Sequence, residues 1–113
     1  MRKLSTKDVF TMARIIKHSN VKTEMAKIVE MASTKKLTVE QAGIDVFITI
    51  IESVSDKDQE KRIYEFLAGI TEKKPEDIEN QSLEATINDL RQIVKENENI
   101  ADFFKNASHL TIS

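Results

Sequence analysis

The chain has no cysteine and no tryptophan, a single proline, a single tyrosine and two glycines among its 113 residues. Each shortage excludes something. Without cysteine there is no disulfide framework, no thiolate metal site and no cysteine nucleophile, a pattern compatible with a reducing cytoplasm. Two glycines and one proline are too few for the frequent turns of a sandwich or barrel, and they leave no phosphate-cradling glycine loop. Long apolar runs are missing as well. The longest, such as Val46 to Ile48, fall far short of the roughly 18 residues of a membrane span. The opening MRKLSTKD has no apolar run behind its charges, so no secretory signal is expected. Asn80 with Ser82 and Asn106 with Ser108 match the glycosylation sequon, and without a secretory route both read as chance matches.

Neither sign of charge dominates. Seventeen basic and 19 acidic residues give a formal net charge of −2, spread along the whole chain, whereas phosphate-backbone binding generally needs a basic surface. The pairs Lys35-Lys36 and Lys73-Lys74 are too short to supply one and suit helix ends better. A length of 113 residues and 40% hydrophobic content describe one globular domain with a modest core. An all-α fold fits best, a single compact helical domain spanning residues 1–113 with about five main helices and short connecting ones.

The stretch TVEQAGIDVFITIIESV, residues 38–54, is the most apolar of the chain and the one around which the rest is organised. At about 100° per residue, Ile44, Val46, Phe47, Ile48, Ile50, Ile51 and Val54 fill an arc of roughly 200°, with Asp45, Thr49, Glu52 and Ser53 opposite. A surface helix needs a stripe somewhat wider than about 100°. This helix must therefore be packed on two sides, or on one side with a groove left for a partner. Its β-branched run favours a strand by propensity, but Thr38 followed by Gln41 is a capping-box pattern, and the reading is helix.

Along the chain, Ser5 and Asp8 open a helix from Thr6 to Lys17. Asn20 stops it, and Val21, Met25, Ile28, Val29 and Ala32 mark a second helix ending near Ser33. After the central helix, Asp56 and Gln59 form a second capping-box pattern ahead of Ile63, Tyr64, Phe66, Leu67 and Ile70, with Gly69 helping that helix finish. Pro75, Glu76 and Asp77 suit the first turn of a short connector helix. Leu83, Ile87, Leu90 and Val94, with Ile93 beside them, define one face of a long helix capped by Ser82, whose Glu84, Asp89, Arg91 and Lys95 can face water. A last helix carries Ile100, Phe103, Phe104 and Ala107, and residues from His109 to Ser113 are expected to fray.

Chemistry is hard to place on this chain. Alternate carboxylates at Asp56, Asp58 and Glu60 suggest a calcium loop, but its sixth and twelfth positions would be Lys61 and Leu67 where glycine and glutamate are required. His18 and His109 lie at opposite ends, neither with a second ligand type at i+4. The acids Glu72, Glu76, Asp77 and Glu79 read as a solvated helix start. No catalytic residue, metal, cofactor or small-molecule substrate is expected. What remains is apolar surface: the central helix, Phe103-Phe104, Phe10 and four methionines, which as a type suit adaptable grooves but more often fill cores.

The segments RKLSTKDVFTMARIIK, FLAGITEKKPEDIENQSLEATINDL and NIADFFKNASHL, in this order and in a chain of this length, resemble the tail assembly chaperones of long-tailed bacteriophages. The central stretch matches in character, as the expected apolar helix. The resemblance implies an all-helical protein of the bacterial host cytoplasm, absent from the mature virion, that coats the tape measure protein before the tail tube forms around it. It further implies self-association and, in many members, a frameshift-extended form. A very long helical partner with apolar faces suits coverage by many weak grooved copies, and helix-in-groove contacts use apolar anchors at i, i+3, i+4 and i+7. No binding residue carries over by motif. From the residues themselves, Phe47, Ile50, Ile51 and Val54, with Phe103 and Phe104, are expected to line the partner-binding surface. A structural virion component, such as a head-tail connector, shares this composition, and a helical DNA-binding regulator is disfavoured by the acidic balance.

Overall fold

Helix α3 (Val39–Glu52) lies against three others, α2 (Lys22–Ser33), α6 (Leu83–Glu96) and α7 (Ile100–His109). In this computed structural model, which describes residues 1–110, α1 (Thr6–Lys17) packs on α7 and on α4 (Lys57–Thr71), and the short α5 (Pro75–Asn80) packs back on α4. The protein is all-α, with seven helices and no strand among the described residues. One contiguous core joins residues of every helix. The radius of gyration, 13.0 Å, is what a compact chain of about 100 residues should have.

The helix starts follow from their caps. Thr38, Asp56 and Ser82 each accept a hydrogen bond on the side chain from the backbone N–H three residues on, at 3.0, 2.7 and 3.1 Å, satisfying one of the orphan donors of a first turn. The expected return bonds from Gln41 and Gln59 do not form. Gln41 donates to Asp45 at 2.7 Å instead. Gln59 turns inward, where its amide donates to the Ile15 carbonyl at 2.7 Å and to the Ser19 hydroxyl, tying α4 to the end of α1.

Two helices stop through residues in the left-handed region. Lys35 (φ 61°) follows α2, with the Lys36 N–H bonded to the Met31 carbonyl at 2.9 Å; Glu72 (φ 60°) follows α4, with the Lys73 N–H on the Ala68 carbonyl at 3.0 Å. Both are Schellman closures. Gly69 is therefore not the terminator of α4, as expected from sequence, but an interior helical residue. Its carbonyl accepts from Arg2 Nε at 2.9 Å. Gly43 serves packing: a Cβ there would stand 2.9 and 3.2 Å from the two methyl carbons of Val94, so the missing side chain sets how closely α3 and α6 approach.

The broad apolar arc of α3 is consumed by these neighbours. Ala42, Ile44, Val46, Phe47 and Ile50 are all buried, and the helix is packed on more than one side, the first of the two arrangements its pattern allowed. Four of the five phenylalanines close a ring of aromatic contacts: Phe47 on Phe104 at 5.1 Å, Phe104 on Phe103 at 5.4 Å, Phe103 on Phe66 and Phe66 on Phe47 at 6.4 Å. Such pairs add about 0.5–1.5 kcal/mol each beyond their buried area. They lock α3, α4 and α7 together. The fifth, Phe10, is 52% exposed.

Candidate functional site: an apolar cleft between α2 and α7

Of the six residues expected to line a partner-binding surface, Phe47, Ile50, Phe103 and Phe104 are core. Ile50 is 2% exposed. That expectation is corrected: α2, α6 and α7 cover the face of α3 that was to receive a partner, and the Phe103-Phe104 pair sits inside the aromatic ring. Ile51, at 37% exposure, and Val54, half-buried, remain at the surface near the end of α3.

The surface apolar material lies elsewhere. Helix α2 is the least embedded of the long helices, with Met25 its one buried residue. Ile28, Val29 and Ala32 are half-buried and Ala26 is exposed. Small side chains explain the opening: where Ala26 and Ser33 face α7, there is too little volume to close the gap against Lys105 and Ser108. The result is an open cleft of about 290 Å³, floored by Met25 and Phe104, walled by Ala26 and Val29, and rimmed by Glu30, Lys105 and His109. Its floor continues under Val29 and Phe104 toward Ala32, Val39 and Ala101. Phe104 is thus the one predicted residue beside this cleft. Phe103 faces a different and mainly polar opening, beside Leu4, Val9 and the α6–α7 junction.

Sequence reasoning named Met25 and Val29 only as periodic positions of α2, with Met25 also among four methionines read as more often core, and it did not single out Ala26. The available signal was the pair of small side chains at i and i+7 of α2, Ala26 and Ser33, which leave a groove where larger ones would fill it.

The titratable groups do structural work. Burial pushes the Asp8 carboxyl up, but the Arg2 guanidinium, at 2.7 and 2.9 Å, and the Ser5 N–H, at 2.7 Å, outweigh it and hold the carboxyl below the ordinary aspartate value. Tyr64 is pushed up to about 12, chiefly by its hydrogen bond to Glu60 and then by burial. Lys73 bridges to Asp89 at 3.0 Å and to Gln81 at 3.1 Å, so this exposed lysine and the half-buried Asp89 tie the end of α4 to α6 across the surface. Asp56 caps α4, His18 caps α1, and His109 ends α7. Among the described residues no group of three or more His, Asp or Glu could hold a metal ion, and no helix is long and apolar enough to cross a membrane.

The cleft is mainly apolar at its floor, with polar side chains confined to its rim. No family model, curated protein or solved structure matches this chain. The reading of its role therefore rests on the residues and the cleft.

Proposed function

We propose that this protein is a tail assembly chaperone of a long-tailed bacteriophage, acting in the host cytoplasm to keep the tape measure protein soluble until the tail tube forms. The observation that carries this reading is the open α2–α7 cleft, apolar at its floor of Met25 and Phe104 and kept open by the small Ala26, Ser33 and Ser108. A groove of this kind accepts the apolar anchors of an amphipathic helix, and a tape measure protein presents many such anchors in series. Each contact is small. Many copies along one partner convert weak single contacts into firm coverage, and self-association of the chaperone would reinforce it.

In this proposal the partner seat moves from the α3 face to Met25, Ala26, Val29 and the edge of Phe104, with Ile51 and Val54 left as a secondary apolar patch. The role is non-enzymatic and needs no cofactor. Co-expression with a candidate tape measure protein, followed by size-exclusion chromatography of the soluble fraction, tests it. Co-elution is expected, with the partner insoluble when made alone. If the partner stays insoluble and this protein elutes unchanged, or if this protein is found in purified virions, the chaperone reading fails.

A further inference from the structure

A second groove, unrelated to the apolar cleft, runs between the outer faces of α1 and α4. Lys7, Thr11 and Arg14 line it from α1, at spacings of i, i+4 and i+7; Arg62, Glu65 and Gly69 line it from α4, with Phe66 beneath and Arg2 and Asp8 at one end. Its volume is about 410 Å³. The charges within it are unequal. Asp8 is fully engaged by Arg2 and Ser5, and Glu65 lies 3.9 Å from Lys61. Among the described residues, Lys7, Arg14 and Arg62 form no ion pair; Arg62 only reaches the Gln59 amide oxygen at 3.5 Å. In a chain of net charge −2, three unpaired cations thus meet in one groove.

We infer that this groove docks the acidic face of a partner helix. The spacing decides the class of ligand. Lys7 and Arg14 are two turns apart, about 10 Å along the axis of α1, too far for one phosphate or one carboxylate to bridge. An occupant must carry at least two separated negative charges. A helix with acids seven residues apart repeats that distance, with an adjacent acid placed for Arg62 across the groove. A nucleic-acid backbone carries charge every 3.4 Å or so of each strand and could not avoid Glu65, whereas an interrupted acidic face can. Gly69 leaves the α4 lip without a side chain, and a Cβ there would meet only the end of Arg2, at 3.4 Å. That gap lets a partner backbone come close to Phe66.

Charged rims of this kind set encounter rate and orientation more than final affinity, so the interaction is salt-sensitive. The test uses the full chain and three probes: a 20-residue alanine-rich helical peptide with glutamates at i, i+4, i+7 and i+11, its glutamine twin, and a single-stranded 20-nucleotide DNA. Binding is measured by calorimetry at low and high salt. The glutamate peptide is expected to bind at least about tenfold more tightly than the twin, and to weaken by a similar factor in high salt. Arg14→Glu with Arg62→Glu should abolish that preference. Lys17→Glu with Lys57→Glu, the same charge change outside the groove, should keep most of it. Circular dichroism confirms folding, and Arg14→Gln with Arg62→Gln serves if the reversal unfolds the chain. Equal binding of the two peptides, equal loss in both charge-reversed variants, or tighter binding of the DNA overturns the proposal.

Discussion

Asp8 shows how one buried carboxylate joins three segments. It accepts from Arg2 and Ser5, while the Arg2 side chain reaches the Gly69 carbonyl and the Arg2 N–H bonds the Ile70 carbonyl at 2.9 Å, so the chain start, α1 and the end of α4 share one network. Its folded pKa lies below the ordinary aspartate value. The stabilisation is therefore present above about pH 4, the unfolded carboxylate range, and is lost as pH falls through the lower folded value. Asp8→Asn is expected to cost about 2 kcal/mol at pH 7, the scale of a charged hydrogen-bonded pair. Urea titrations should show the gap from the parent closing as pH drops below about 4. Tyr64 gives a second, spectroscopic readout. It is the chain's one tyrosine in the absence of tryptophan, so its ionisation can be followed by absorbance without overlap. The midpoint is expected near the raised value of about 12, and Glu60→Gln should bring it back toward about 10.

The α3–α6 crossing depends on an absence. Adding a methyl group at Gly43 puts it 2.9 Å from a branched, buried Val94, whose stiff side chain cannot move aside. Gly43→Ala is expected to destabilise by about 1–3 kcal/mol through overpacking, despite alanine's better helix propensity. The double variant with Val94→Ala should recover part of the loss; additive destabilisation in denaturant melts would contradict this account. The elements themselves were legible in the sequence because each carried a cap and a periodic face: α1, α2 and the capped starts at Thr38, Asp56 and Ser82 lie where those signals put them. The partners of an apolar face were not. The pattern of α3 allowed either packing on two sides or a groove on one, and which of these holds depends on contacts distant in sequence, such as Phe47 with Phe104. Leu83 errs the other way. It continues the apolar face of α6 yet is 74% exposed, because it stands in the first turn, beyond the reach of the core. Of the expected fraying from His109 to Ser113, His109 still closes α7, and residues 111–113 lie outside the described residues.

In the proposed reading the core serves folding and the cleft serves binding, and substitutions can test that division. Ile50, fully inside, transmits a charge directly into the core. Ile50→Asp should remove cooperative unfolding, since an unpaired carboxylate there loses apolar burial worth about 1.5–3 kcal/mol and adds a desolvation penalty of several kcal/mol more, together a large part of a small domain's 5–15 kcal/mol. Ala26→Glu alters only the exposed wall of the α2–α7 cleft, where surface changes usually stay within about 0.5 kcal/mol. That variant should melt like the parent yet lose co-elution with a tape measure partner, because a charge replaces small apolar surface where an anchor would seat. Ile51→Glu, at the edge of α3, should leave both folding and co-elution nearly intact. If Ala26→Glu still co-elutes while Ile51→Glu does not, the partner sits on the end of α3, and the cleft is merely a loose seam between two helices.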